Sequence, residues 1–229
     1  MLAVLMAASC SRSVAEAPRP LQFVERVTGG ADPSAALPLV IALHGLGDTP
    51  EQFVALFAEL NVPARIIAPR APDPWQTGTS WFPIDDADFP PAGILQRAAL
   101  VTTLADQLQK TRHVRGLPIV TGFSQGGILS YAISAFHADH FAAAIPVAGA
   151  LFDGMPPFRK APKSFRVIAF HGEQDNRVPF AADLRTVEQL KKVGTDVSLT
   201  GIAGLGHSLP PTLIARWHAA LRDQLQKTQ

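Results

Sequence analysis

The sequence predicts an α/β fold with a mostly parallel central sheet of about seven strands and helices on both faces. Short apolar runs, typical of strands covered on both faces, alternate along the chain with segments whose apolar residues recur every three or four positions, as in amphipathic helices. The chain has 229 residues, of which 47% are hydrophobic and 17% charged, and this suits one domain with a substantial core. Such alternation along a whole chain indicates parallel strands joined by crossover helices.

The predicted strands follow one another from residue 21 onwards. Residues 21–27 alternate apolar and polar, as a half-buried edge strand does, whereas 37–43 is a continuous apolar run. Further short apolar runs occur at 64–68, 117–121, 142–148 and 165–170, and an alternating one occurs at 196–202. We therefore expect the ligand site beyond the carboxyl ends of these strands.

Helices are predicted between the strands. One helix face carries Ile94, Ala98, Val101, Ala105 and Leu108, a second helix carries the apolar residues of 128–136, and the last carries Leu213, Trp217, Leu221 and Leu225. Pro210 and Pro211 mark the beginning of the last helix.

The first twenty residues differ from the rest of the chain. Residues 1–10 run from apolar to small to Cys10, an order that resembles the lipobox of a bacterial lipoprotein signal, and 11–20 have the composition of a tether. We expect residues 21–229 to form a single domain, exported to the periplasm or anchored to a membrane by a lipid on Cys10. The alternative is a cytoplasmic protein in which this cysteine is incidental.

Charge and cysteine content exclude several classes of partner. Twenty Lys and Arg against nineteen Asp and Glu produce no net field that would attract nucleic acid or an anionic membrane. A single cysteine excludes an intrachain disulfide and a multi-cysteine metal site. No metal or organic cofactor is expected, and the oligomeric state is left open.

Ser124 is the candidate nucleophile. It lies between the strand at 117–121 and the helix around 128–136, and Gly122 and Gly126 flank it two residues away on each side. Such a sharp strand-to-helix turn exposes the serine hydroxyl and brings neighbouring backbone too close for side chains at the two glycine positions.

His207 is the candidate base, and Asp175 is the candidate acid that orients it. His207 lies in a glycine-rich loop after the strand at 196–202, whereas His171, the competing histidine, directly follows the strand at 165–170. Glu173 and Asp153 are the alternative acids. The order Ser, Asp, His favours Asp175, since an acid followed by a helix and then the histidine matches the hydrolase template.

Two backbone amides are expected to bind the negative charge that develops on the substrate oxygen. The N–H of Gln125 follows the nucleophile, and the N–H of Leu46 lies in the glycine-containing loop "HGLGDTP" after the strand at 37–43.

Six motifs together resemble the phospholipase/carboxylesterase family of α/β-hydrolases, which includes the acyl-protein thioesterases. In chain order they are "LHGLGD" (43–48), "APRAP" (68–72), "SWFPID" (80–85), "GFSQGG" (122–127), "HGEQDNRVP" (171–179) and "GLGH" (204–207). The resemblance implies the α/β-hydrolase fold, the triad Ser124, Asp175 and His207, the amide donors Leu46 and Gln125, and a small-molecule ester or thioester as substrate. The alternatives are a hydrolase of amide or carbon–carbon bonds and a non-catalytic binding protein.

A proline-rich segment at 70–91 carries Trp75, Trp81, Phe82 and Phe89 without any periodicity, so we expect an ordered loop at the edge of the site. These aromatic residues either anchor the loop on the core or, for Trp81 and Phe82, wall an acyl groove beside Ser124. No amphipathic helical lid is visible, so the sequence predicts an open site for soluble esters of short and medium chain length.

Overall fold

The computed structural model describes residues 20–83 and 90–227. The strands within these ranges are β1 (Phe23–Thr28), β2 (Leu39–Leu43), β3 (Ala64–Pro69), β4 (Asp73–Trp75), β5 (Gly78–Ser80), β6 (Ile119–Phe123), β7 (Ala143–Val147), β8 (Arg166–Gly172) and β9 (Asp196–Ile202). The α-helices are α1 (Pro50–Ala55), α2 (Pro91–Thr111), α3 (Gln125–Phe136), α4 (Phe180–Lys192) and α5 (Pro211–Lys227). Three features of the sequence prediction lie outside the described residues. They are the signal at 1–10 with Cys10, the tether at 11–20 except for Pro20, and Phe89.

Seven strands form one sheet in the order β1-β3-β2-β6-β7-β8-β9. Every neighbouring pair is parallel except β1, which runs antiparallel to β3 at the edge. The prediction of a mostly parallel sheet of about seven strands with helices on both faces is confirmed.

The central strand β2 shows why its sequence is uninterruptedly apolar. Leu39, Ile41 and Leu43 face a core shared with α2, α3 and α4, whereas Val40 and Ala42 face a second core shared with α1 and α5. All five side chains are completely buried. Because a strand points successive side chains to opposite faces, a sheet covered on both faces selects apolar residues at every position.

Two elements depart from the sequence prediction. The segment at 70–91 contains a two-stranded hairpin of β4 and β5 where we expected only irregular loop, and strands of three residues are too short to show a period. The six-residue helix α1 is also too short to be recognised from apolar spacing. Its sequence signals are the Thr49 hydroxyl, which accepts a hydrogen bond from the N–H of Gln52, and the proline that follows Thr49.

Parallel pairing brings the loops that carry the candidate residues to one edge of the sheet. Strands β2, β6, β8 and β9 run in the same direction, and the segments that follow them contain Leu46, Ser124, Asp175 and His207. Residues far apart along the chain can therefore meet beyond the carboxyl ends of the strands.

Candidate active site

Ser124 lies in a strained turn between β6 and α3. Its φ of 57° and ψ of −117° are unusual for a residue with a side chain. A Cβ atom at Gly126 would lie 1.9 Å from the carbonyl oxygen of Leu43, and one at Gly122 would lie 2.6 Å from the carbonyl oxygen of Gly126. The two flanking glycines are therefore required by close backbone contact, as their spacing in the sequence predicts.

His207 connects Ser124 to Asp175. The Ser124 Oγ lies 2.9 Å from His207 Nε2, and His207 Nδ1 lies 2.6 Å from Asp175 Oδ2. With a carboxylate at Nδ1, the ring carries its proton on that nitrogen and presents Nε2 as an acceptor to the serine hydroxyl. The ring of Phe123 packs against the imidazole, with ring centroids 4.8 Å apart.

Asp175 is held in place by the turn that follows β8. Its Oδ1 accepts hydrogen bonds from the N–H groups of Arg177 and Val178, both at 2.9 Å, and its side chain is fully buried. The alternative acids Glu173 and Asp153 are exposed, and neither has a hydrogen bond to His207. Of the acids considered from the sequence, the structure brings only Asp175 to His207.

His171 is buried behind Asp175 and does not contact Ser124. Its Nδ1 lies 2.7 Å from Asp183 Oδ2, and its Nε2 lies 2.8 Å from the Val178 carbonyl oxygen. Burial lowers the pKa of His171, but the hydrogen bond and charge of Asp183, assisted by Val178 and Asp175, outweigh burial and raise this pKa above its ordinary value.

Asp183 also accepts a hydrogen bond of 2.5 Å from the hydroxyl of Tyr131 on α3. Burial raises the pKa of Tyr131 well above its usual value, with the negative charge of Asp183 acting in the same direction, so the phenol remains a neutral donor. The sequence analysis missed both residues. The only local signal was a charged and a hydroxyl-bearing side chain on the apolar faces of α4 and α3.

The loop after β2 approaches Ser124 from the other side. A Cβ atom at Gly45 would lie 3.4 Å from the Cβ of Ser124, so this loop packs directly against the turn of the serine. Within the described part of the chain, the N–H of Leu46 donates no hydrogen bond. The N–H of Gln125 is in the first turn of α3, where backbone donors have no partner within the helix. Both amides are available to an anion in the adjacent cavity.

The hairpin of β4 and β5 fixes the position of this loop. The N–H of Gly47 donates to the carbonyl of Thr79 at 2.9 Å, and the N–H of Thr79 donates to the carbonyl of Asp48 at 3.1 Å. His44, at the beginning of the loop, accepts a hydrogen bond from the N–H of Ala71 at Nε2, and its Nδ1 lies 2.7 Å from the Gly45 carbonyl. Burial lowers the pKa of His44, so its ring is neutral, with the proton on Nδ1 and Nε2 as the acceptor.

The side chain of Gln125 has a structural role that the sequence did not reveal. Its Oε1 accepts a hydrogen bond from the N–H of Trp81 at 2.9 Å, and its Nε2 donates to the carbonyl of Phe82 at 2.9 Å. The residue that follows the candidate nucleophile therefore also ties the segment at 80–82 to the beginning of α3.

Trp81 and Phe82 lie in the core, which corrects the expectation that they wall an acyl groove. Both side chains are completely buried, and the Trp81 indole N–H donates to the carbonyl of His44 at 3.0 Å. Neither residue lines the cavity at Ser124. Their placement corresponds to the alternative interpretation, in which the aromatic residues anchor the segment on the core.

An open cavity of about 530 Å³ lies over the serine. Its lining consists of Gly45, Leu46, Asp48, Phe123, Ser124, Gln125, Arg177, Val178 and His207. This volume is typical of a small-molecule site, and the lining combines apolar surface with a few polar groups. Arg177 and Asp48 place one positive and one negative side chain at this cavity.

Two classes of feature are missing from residues 20–83 and 90–227. No group of His, Cys, Asp and Glu residues there has the arrangement needed to hold a metal ion. The helices in the same ranges include none with the length and apolar character of a membrane span.

The comparisons with known proteins agree with the motifs. The phospholipase/carboxylesterase family model matches residues 24–223. Acyl-protein thioesterase 1 of Gibberella zeae is 31% identical over 112 residues, which cover 47% of this chain and 48% of that protein. A probable carboxylesterase of Oryza sativa subsp. japonica is 27% identical over 218 residues, which cover 83% of this chain and 79% of that protein.

The solved structures share the fold. The carboxylesterase of Bacillus cereus superposes with a TM-score of 0.76 at 15% identity, over 89% of this chain and 94% of that one. The family match extends over most of the sheet and includes every segment that carries a candidate catalytic residue or amide donor. The chain therefore belongs to the phospholipase/carboxylesterase family, whose members are hydrolases that act on ester bonds.

Proposed function

We propose that the protein is a serine esterase that hydrolyses carboxylic esters, including thioesters, of short to medium chain length. The observation that carries the proposal is the continuous hydrogen-bonded line from Ser124 Oγ through His207 to Asp175 Oδ2. A nucleophile, a base and a group that orients the base are the parts that acyl transfer through a serine requires.

The reaction proceeds in two steps. His207 Nε2 takes the proton of Ser124 as the serine oxygen attacks the ester carbonyl, and the resulting imidazolium then protonates the leaving alcohol or thiol. Water subsequently attacks the acyl-enzyme with the same histidine as base, which releases the acid and restores the serine hydroxyl. Asp175 holds the tautomer of His207 and stabilises the imidazolium in both steps.

The backbone N–H groups of Leu46 and Gln125 stabilise the oxyanion of each tetrahedral intermediate. A donor of this kind typically contributes on the order of 3 kcal/mol to the lowering of the barrier. The network that holds the loop at 44–48 therefore contributes to the rate through the position of the Leu46 N–H. The bonds between Gly47 and Thr79 and between Trp81 and the His44 carbonyl support this role.

The size and openness of the cavity support soluble substrates. A volume of about 530 Å³ beside Ser124 accommodates a short or medium acyl chain and is open to solvent. We expect hydrolysis of dissolved p-nitrophenyl acetate, butyrate and octanoate without a lipid interface. Activity confined to emulsified long-chain triglycerides would contradict this part of the proposal.

A fluorophosphonate probe tests the nucleophile directly. The probe should label the purified protein at Ser124, and Ser124→Ala should abolish both labelling and ester turnover with the fold intact. Ser208→Ala, which changes an exposed serine beside His207, is the matched control and should retain both. Turnover of Ser124→Ala above about one hundredth of wild type would exclude the serine mechanism, since loss of such a residue lowers kcat about a millionfold.

A substrate panel separates the alternatives. Labelling at Ser124 with hydrolysis of peptides or diketones instead of esters would indicate another bond type on the same scaffold. Absence of both labelling and turnover would indicate a non-catalytic binding protein.

We also propose that Cys10 carries a lipid and that the enzyme is an exported lipoprotein. The support is the order of apolar and small residues before this cysteine, which lies outside the described residues. Expressed with its native upstream sequence, the protein should partition into detergent, and Cys10→Ala should remove this behaviour. Full-length protein in the cytosol that retains Met1 would rule the proposal out.

A further inference from the structure

The buried residue His171 lies behind the proposed triad and has no part in the reaction described above. Its ring is fully buried, with Asp183 Oδ2 at 2.7 Å from Nδ1 and the Val178 carbonyl oxygen at 2.8 Å from Nε2. Both ring nitrogens thus have an oxygen partner at hydrogen-bond distance.

The chemistry of these partners determines the charge of the ring. A backbone carbonyl only accepts, so Nε2 must carry a proton. The Asp183 carboxylate accepts the Tyr131 hydroxyl at its other oxygen, at 2.5 Å. Burial raises the pKa of Asp183, and the hydrogen bonds from His171 and Tyr131, with the charge of His171, act against burial and favour the ionised form. When Asp183 is ionised, its carboxylate also only accepts, so Nδ1 carries a proton as well and the ring is an imidazolium.

This cation lies next to the proposed catalytic acid. His171 Nε2 is 3.4 Å from Asp175 Oδ2, which is the oxygen that accepts the hydrogen bond from His207 Nδ1. Within the described part of the chain, the ionisable groups that face His171 are Asp183 on α4 and Asp175 after β8. Tyr131 is reached through Asp183, and His207 is reached through Asp175. The raised pKa of His171 follows from the same contacts, which outweigh its burial.

We infer that His171 is an imidazolium at neutral pH and a positioning residue that attracts the Asp175 carboxylate and keeps it directed at His207. The inference rests on the proposed function for its effect on rate, but the charge of the ring does not depend on that function.

A positive charge at this place has a definite consequence for the pH profile. It opposes a second positive charge on His207, because both rings share the Asp175 carboxylate. Loss of a unit charge 3.4 Å from the Asp175 oxygen that holds His207, partly offset by the simultaneous loss of the Asp183 charge, corresponds to an effect on the order of one pH unit. Removal of the charge should therefore move the acid limb of kcat/KM to higher pH by about that amount.

The double variant His171→Gln with Asp183→Asn removes both charges and retains hydrogen-bonding groups of similar size. The expected result is the upward shift of the acid limb, measured with p-nitrophenyl butyrate between pH 4.5 and 8.5. The control, His218→Gln, changes another buried histidine away from the site and should leave the limb in place. A lower kcat with an unmoved limb would mean that His171 only packs, and it would overturn the inference.

Nitrogen-15 histidine NMR of the wild-type protein tests the charge without an activity. The two ring nitrogens of His171 should both remain protonated at pH 7.5, and a neutral ring at that pH would refute the inference. The same spectra follow the pH at which His207 takes up a proton, which should rise in the double variant. If that variant does not fold, His171→Gln alone, which removes the positive charge, is evaluated in the same way.

The two methods separate the possible failures. A wild-type protein that hydrolyses no ester but shows a doubly protonated His171 and the shifted His207 titration would reject the proposed function and leave the inference standing. An active esterase with a neutral His171 would do the reverse.

Discussion

Replacement of Asp175 by asparagine should inactivate the enzyme without unfolding it. Oδ1 of Asp175 accepts two backbone N–H groups, from Arg177 and Val178, and its Oδ2 accepts from His207 Nδ1. In the asparagine variant the two backbone donors keep the amide oxygen on their side, and the amide nitrogen then faces His207. The ring must then accept at Nδ1 and carry its proton on Nε2, where it cannot take the proton of Ser124.

The size of the effect follows from these contacts. To restore the productive tautomer, the amide would have to turn over and leave two backbone N–H groups, one buried and one partly buried, without acceptors, at about 1–3 kcal/mol each. The total of about 2–6 kcal/mol corresponds to a productive fraction about 30-fold to 10⁴-fold smaller. Loss of the negative charge beside the imidazolium adds to this, so we expect kcat to fall by about 10⁴, as for the same change in other serine triads.

The assay is kcat and kcat/KM for p-nitrophenyl butyrate at pH 7.5, with circular dichroism and the urea midpoint as measures of folding. Glu173→Gln, which changes an exposed carboxylate two residues away, is the control and should remain within about twofold of wild type. An Asp175→Asn enzyme that keeps more than about a tenth of wild-type kcat/KM would refute the tautomer argument.

Three further outcomes are expected. Gly126→Ala should lower the free energy of unfolding by at least about 3 kcal/mol or prevent folding, because the added Cβ would collide with the Leu43 carbonyl. The control, Gly93→Ala on α2, should be tolerated, because no neighbouring atom would lie closer than 3.5 Å to its Cβ. Equal urea midpoints for the two variants would contradict this prediction. Trp81→Phe, which removes the indole bond to the His44 carbonyl, should lower kcat/KM by similar factors on acetate and octanoate esters, and a loss confined to octanoate would restore the groove hypothesis. Burial lowers the pKa of His218, so below about pH 6.5 the unfolded chain binds more protons than the folded protein, and the free energy of unfolding should fall on acidification. Between pH 7.5 and 5, the urea midpoint should therefore fall less in His218→Gln than in the wild-type protein. An equal fall in both proteins would exclude the effect.

Local patterns in the sequence were sufficient to locate the strands of the central sheet and to suggest the triad. A sheet covered on both faces requires continuous apolar runs, so strands such as β2 were recognisable from composition alone. The turn at Ser124 was also recognisable, because its geometry excludes side chains at Gly122 and Gly126 and therefore requires a short motif with two glycines. Asp175 and His207 were proposed because each lies in the loop after a strand, and parallel strands end at the same edge of the sheet.

Only the tertiary structure decided what the buried side chains contact. The aromatic character of Trp81 is equally suited to a groove wall and to a core anchor, and the choice depended on the His44 carbonyl within reach of its indole N–H. The connection of Tyr131 to Asp183 joins residues 52 positions apart on two helices, and nothing local to either residue marks its partner. Periodicity reports that a side chain is buried, because burial follows from the geometry of its own element. It cannot report the partner, because that depends on how distant elements cross.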